Sequence, residues 1–114
     1  MEIHYDNNKL AKQCGNEKAI RRYFPNQAKS IAKRIEELEL YPNLQEYLDN
    51  ATGKPHPLRE NLLGKFWVHI NGPNVIIFEP LTEIPTDENG ITDYSQITAV
   101  NILNVNVPET DFKK

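Results

Sequence analysis

The stretch QAKSIAKRIEELEL, residues 27–40, restricts the possible folds of this chain more than any other. Ala28, Ile31, Ala32, Ile35 and Leu38 recur at helical spacing and make one continuous apolar stripe. Lys29, Lys33, Arg34, Glu36 and Glu37 fall outside it and read as a solvated face, with Lys33 and Glu37 one turn apart and able to pair. Pro25 and Asn26 punctuate the start, and Pro42 ends the helix. A helix that is apolar along one side needs a second layer to bury that side.

The remaining residues supply the layer. Residues 2–5 alternate polar and apolar and read as a first strand. Asn7 and Asn8 can cap a short helical turn through Cys14, Gly15 breaks it, and Asn16 can cap a helix over residues 17–24. Asn43 can cap a last short helix, LQEYLD, ahead of the turn residues 50–53. From there the pattern is sheet. HPLR (56–59) is a short strand, and KFWVHI (65–70) sets Phe66, Val68 and Ile70 on one face against Lys65, Trp67 and His69 on the other. Asn71-Gly72 is a hairpin turn from which VIIFE returns antiparallel. Residues 80–96, rich in Pro and acids, form a long loop with Asn89-Gly90 as a turn inside it. ITAVNILNVNV (97–107) is the last strand, and PETDFKK a frayed polar tail.

The expected fold is therefore α+β: an N-terminal strand and a helical hairpin packed on an antiparallel sheet of four to five strands. At 114 residues the chain suits one domain, residues 1–107, followed by the tail 108–114. The helical stripe covers one face of the sheet, which leaves the other open for function.

Several classes of chemistry have no signature here. There is no Gly-rich phosphate loop, no HExxH, no Gly-x-Ser-x-Gly and no cysteine pair. The single cysteine, Cys14, reads as a small half-buried thiol that fits a reducing cytoplasm. His4, His56 and His69 are not spaced as a metal triad, so neither a metal nor any other cofactor is expected. No apolar run approaches the ~18 residues of a membrane span, and the N-terminus lacks a signal peptide's apolar core; a cytoplasmic location without membrane contact is expected.

The charge is uneven. Residues 1–65 hold 11 of the 13 Lys and Arg, whereas residues 66–114 hold 7 of the 16 acidic residues and only 2 basic ones. A basic face on a chain of net charge −3 is compatible with that gradient, and so is a solvated helix surface. Within it, Lys54, His56, Arg59 and Lys65 place four cationic or protonatable groups on a short strand and the loop after it. Such groups at a sheet surface suit phosphate contact, with His56 able to move a proton near neutral pH. Trp67 beside them reads as an aromatic covering the sheet in preference to a base-stacking platform.

MEIHYDNNKLAKQC, the helices, HPLRENLLGKFWVHINGP, IIFEP and ITAVNIL, in this order over residues 1–106, resemble the HigB-type branch of the RelE/ParE toxin superfamily. The resemblance implies a microbial-RNase-like fold and the toxin half of a bacterial type II toxin–antitoxin pair. It implies a metal-independent endoribonuclease that cuts mRNA on the ribosome, and a helix-turn-helix antitoxin of the HigA type as partner. In that chemistry the ribose 2′-hydroxyl attacks the adjacent phosphate, a base and an acid move protons, and cations hold the developing charge. By resemblance, His56 matches the histidine of a His-x-Leu-Lys-Gly segment, Arg59 stands at its lysine and Glu60 at its glycine. Arg59 keeps the positive charge and gives up an easily shifted pKa, so it suits phosphate better than proton transfer. Gly64 and Phe66 keep the strand that follows. Val75 occupies the position of a strand arginine, and Val107, Pro108 and Glu109 that of a C-terminal Asp-Tyr-His. Lys54, Lys65 and His69 are the groups available to replace what is missing.

Two functional readings result. One is a working ribosome-dependent mRNA endoribonuclease with His56 and Arg59 in catalysis and Lys54, Lys65 and His69 on RNA phosphates. The other is a catalytically degenerate toxin-fold protein that binds an antitoxin or another target without cleaving RNA. A helix-turn-helix antitoxin does not suit the strand-rich second half.

Overall fold

The computed structural model describes residues 1–58, 64–81, 88–89 and 93–108. The chain runs through β1 (Glu2–Tyr5), α1 (Asn8–Cys14), α2 (Glu17–Tyr23), α3 (Ala28–Leu40), α4 (Leu44–Asn50), β2 (His56–Pro57), β3 (Phe66–Asn71), β4 (Asn74–Pro80), a 3₁₀ turn (Tyr94–Gln96) and β5 (Ala99–Pro108). The helical layer consists of the four segments the spacing predicts, three of them started by an asparagine. Asn7, Asn16 and Asn43 accept the amides of Leu10, Ala19 and Glu46 through Oδ1, each at 2.9 Å. Each cap supplies a partner for a donor that a helix start would otherwise leave unpaired.

The α3 stripe is buried as its spacing demands: Ile31 and Leu38 are fully buried, Ala28 and Ile35 nearly so. It packs with Phe66, Val68 and Ile70 of β3, Ile76 and Phe78 of β4, and Val100 and Ile102 of β5. Phe66 and Phe78 stack at 5.6 Å, and Tyr47 of α4 meets Phe78 edge-on at 5.9 Å. A buried Leu, Ile or Phe in such a core contributes roughly 1.5–3 kcal/mol.

The five strands lie in the order β1-β5-β4-β3-β2. The pairs β2–β3, β3–β4 and β4–β5 are antiparallel, whereas β1 joins β5 in parallel, Ile3 opposite Val100 and Tyr5 opposite Ile102. The sheet is thus mixed, a departure from the all-antiparallel expectation. Consecutive strands joined by a tight turn must run antiparallel. β1 is separated from the other strands by four helices, which can return the chain in either direction.

A second departure concerns the face turned away from the helices. It is not an open polar surface: Leu58, Trp67, Val75 and Ile77 form a smaller buried cluster there, with Leu103 and Val107 packed against it. Its origin is the continuous run Val75-Ile76-Ile77-Phe78, which presents apolar side chains on both faces of β4. Of the long loop expected at 80–96, residues 82–87 and 90–92 lie outside the described residues, as do residues 109–114 of the tail.

Candidate functional site

Arg34 of α3 sets the geometry of the site from below. Its Nε donates to the carbonyl of His69 at 2.7 Å, and its Nη1 donates to Thr52 Oγ1 at 3.0 Å and Glu37 Oε1 at 3.2 Å. Thr52 in turn donates to both oxygens of Glu37, from its hydroxyl at 2.6 Å and its amide at 3.0 Å. Burial pushes the Glu37 carboxyl up, but the two Thr52 hydrogen bonds and the Arg34 guanidinium outweigh it and hold it below the usual carboxylate range. The sequence reading set Arg34 on a solvated face. In the structure its side chain is only 16 % exposed and ties α3 to the segment after α4.

That segment then docks on β3. The His69 amide donates to the Gly53 carbonyl at 2.7 Å, so Gly53 and Arg34 satisfy both backbone groups of His69. Gly53 sits at φ +85°, where a β-carbon would lie 2.7 Å from Arg34 Nε and from Val68 Cγ2. Lys54 follows at φ +53°. Two successive residues in the left-handed region turn the chain into β2 and point His56 back over β3.

His56 lies across from Trp67 in the β2–β3 pair. The indole Nε1 of Trp67 donates to His56 Nδ1 at 2.6 Å, with ring centroids 4.5 Å apart and planes at 73°. Trp67 also meets the His69 ring edge-on at 5.7 Å. At 5 % exposure Trp67 is a buried cover, so its face is not a platform for a base. Lys54 and His69, with Gly53, Ile70, Asn71 and Gly72, line a shallow concavity of about 300 Å³ beside it.

Two of the five residues singled out in the sequence, Lys54 and His69, therefore line one concavity, and His56, opposite Trp67, stands midway between His69 and Lys65 along β3. Lys65 does not line that concavity. It precedes β3 by one residue and stands four residues from His69, roughly 13 Å along a strand. Its Nζ lies 3.9 Å from Glu79 Oε1, and Glu79 Oε2 accepts from Asn101 Nδ2 at 3.3 Å. Arg59, the fifth, lies outside the described residues, as does Glu60.

The positions that resemblance marks as departures also have places. Val75 lies opposite His69 on β3 and opposite Val107 on β5, and it is fully buried. Pro108 lies opposite Asn74, and Glu109 is outside the described residues. Sequence reasoning missed Arg34 and the Trp67–His56 bond. For Arg34 a signal existed, since it flanks the apolar stripe directly before buried Ile35; for the bond there was none.

Other groups offer little chemistry. Cys14 is buried, which pushes its thiol up to about 11 and leaves it protonated near neutral pH. Among the described residues, no group of three or more His, Cys, Asp or Glu is placed to hold a metal ion. No helix among them is long and apolar enough to cross a membrane.

The architecture, an N-terminal strand in parallel with the last strand, a helical layer and an antiparallel remainder, is the fold of solved YoeB/ParE toxin structures. The chain is similar to a YoeB/ParE toxin from Agrobacterium tumefaciens, with a TM-score of 0.54 and 11 % identity over 93 % of this chain and 97 % of that one. It is similar to the YoeB–YefM toxin–antitoxin complex of Staphylococcus aureus, TM-score 0.55 and 15 % identity over 94 % and 95 %. The S. aureus YoeB dimer matches equally closely, TM-score 0.54 and 14 % identity over 94 % and 95 %. No protein-family model and no curated protein sequence matches the chain.

Proposed function

We propose that this chain is the toxin component of a bacterial type II toxin–antitoxin pair, of the HigB type, and that it acts on mRNA at the ribosome as a metal-independent endoribonuclease that inhibits translation. The observation that carries the proposal is the placing of Lys54 and His69 around one concavity, with His56 next along the same edge of the sheet against Trp67. In this reading His56 and Arg59 act on the scissile phosphate and Lys54 and His69 hold flanking phosphates. Lys65, paired with Glu79 at the far end of β3, is a weaker RNA contact. Residues 1–107 form the working domain in the cytoplasm, and its cognate partner is a small helix-turn-helix antitoxin of the HigA type, by analogy with the antitoxin-bound relatives.

Induction of the chain alone in a bacterium tests this. Growth arrest with cleavage of translated mRNA, relieved by His56→Ala together with Arg59→Ala, is the expected result. Arrest that persists in the double variant overturns the site assignment. Co-purification with the product of a neighbouring helix-turn-helix gene tests the partner.

A second reading has its own observation in favour. Val75, fully buried among Leu58, Trp67 and Ile77, leaves β4 without a cation on the functional face at that level. Loss of one preorganised charge costs roughly 10²–10³ in rate, so a toxin-fold protein that binds its antitoxin or another target without cleaving RNA fits this face. Tight partner binding with neither arrest nor cleavage would establish it.

A further inference from the structure

The solvent side of α3 carries a charge pattern that the core does not explain. Lys29, Lys33, Glu36 and Leu40 are all exposed and follow one another at helical spacing, so they form one stripe down the helix. Among the described residues, Lys29, Lys33 and Glu36 take part in no ion pair. Glu37, one turn on from Lys33, is held instead by Arg34 and Thr52. Leu40 is 73 % exposed, and with Lys33, Glu36, Glu37 and Glu39 it lines a shallow concavity of about 380 Å³.

The order of these charges is wrong for the helix that bears them. The first turn of α3 has Lys29 and no acid, and its last turn has Glu37 and Glu39 and no basic side chain. A helix macrodipole favours the reverse. The Met1 ammonium, which donates to the carbonyls of Leu38, Glu39 and Tyr41, offsets the acids at one end but leaves Lys29 and Lys33 unmatched at the other. For an antiparallel neighbour of the same sequence the order is right. The basic half of each helix then lies against the acidic half, and the negative end, of the other.

We propose that a second copy of this chain docks here, α3 against α3, antiparallel about a two-fold axis beside Arg34 and Ile35. In that register Lys33 of each copy faces Glu36 of the other, so the axis creates two identical ion pairs. Lys29 faces Leu40 of the other copy and lays its methylene stem over it, with the ammonium toward Glu39. A parallel pairing sets Lys33 against Lys33 and Glu36 against Glu36, and like charges repel. Sliding the antiparallel pair by a turn also brings like charges together. A uniformly charged partner, whether nucleic acid or basic peptide, would be attracted along half of the stripe and repelled along the other. The contact spans roughly 16 Å of helix, which is small for an interface, so the dimer is weak and sensitive to salt.

The experiment is sedimentation equilibrium of the purified full chain over a range of concentrations, at low and at high salt. A monomer–dimer equilibrium that weakens with salt is expected. Lys33→Glu and Glu36→Lys, each alone, should weaken dimerisation by about tenfold or more, because each turns two attractive pairs into two repulsive ones. Mixed together, the two variants should form a heterodimer, and the double variant Lys33→Glu/Glu36→Lys should dimerise as the wild type does. Leu40→Lys should also weaken the dimer, by removing the apolar contact and opposing Lys29. All three positions are exposed, so the variants keep the fold, which circular dichroism checks. A chain that stays monomeric at every concentration overturns the proposal, as does a dimer indifferent to these substitutions. Losses in the single variants that neither mixing nor the double substitution restores overturn the antiparallel register, and the proposal with it.

Discussion

Val75 stands directly across the β3–β4 ladder from His69 and is fully buried, so the histidine's neighbour on that face of the sheet is an aliphatic side chain. A residue at this level of β4 does two jobs that conflict. It can carry charge toward a substrate, or it can seal the small cluster of Leu58, Trp67 and Ile77. Here it seals.

Val75→Arg should therefore lower stability by on the order of 3 kcal/mol or more, because the guanidinium enters an apolar cluster. Val75→Ala should cost less, about 1–2.5 kcal/mol, from lost burial and a small cavity. Urea unfolding of both variants checks the order. If Val75→Arg is stable and also gains RNA cleavage, the cluster opens readily and the site was short of one charge.

Gly53 and Gly72 make a matched pair for a second measurement. Both have positive φ, at +85° and +60°, but a β-carbon on Gly53 would meet Arg34, Val68 and the His69 carbonyl within 3 Å, while one on Gly72 meets nothing within 4 Å. Gly72→Ala should cost about 1–2 kcal/mol from the backbone alone. Gly53→Ala should cost on the order of 3 kcal/mol and should displace the segment carrying Lys54 and His56. Equal costs would show that the contact with Arg34 is soft.

Acid should weaken the tie between α3 and that segment. The Glu37 carboxyl has its folded pKa lowered, despite burial, by Thr52 and Arg34. A lowered folded pKa stabilises the fold above the ordinary carboxylate value of about 4.3, and that stability is lost as pH falls from there through the folded value. Glu37→Gln should be less stable than wild type at neutral pH, and the gap should narrow below about pH 4. Urea midpoints measured at several pH values check it, and a constant gap would count against the assignment.

Tyr47 offers a test in the opposite direction. Its ring is fully buried in the core, and among the described residues its hydroxyl has no hydrogen-bond partner. Burial raises its pKa, so the phenol stays protonated at neutral pH. Tyr47→Phe keeps the edge-on contact with Phe78 and removes an unpaired polar atom. Stability should be unchanged or rise by about 1 kcal/mol in thermal unfolding; a loss above that would reveal a partner for the hydroxyl.

The sequence made local structure legible where a single element declares itself. The α3 stripe, its stop at Pro42, the three asparagine caps and the two-faced alternation of β3 all follow from spacing, and all are present. The parallel seam between β1 and β5 is different. Nothing in residues 2–5 or 99–102 encodes a direction, and their pairing depends on how four helices return the chain. The site was legible as a set of residue types and not as a constellation. Lys54, His56 and Lys65 look equivalent along the chain, yet Lys54 lines a concavity with His69, His56 lies against Trp67, and Lys65 stays with Glu79 at the far end of β3. The bond from Trp67 to His56 depends on strand register, which sequence alone does not number.

The seam between β1 and β5 also has a consequence in time. A ribosome delivers residues 2–5 first, and their partners at 99–102 nearly last. Until those partners leave the exit tunnel, β1 has no strand to lie beside, and the helices packed near it have half a floor. Pairings this distant in sequence form late and slowly. The nascent chain therefore reaches its finished sheet only once synthesis has passed β5.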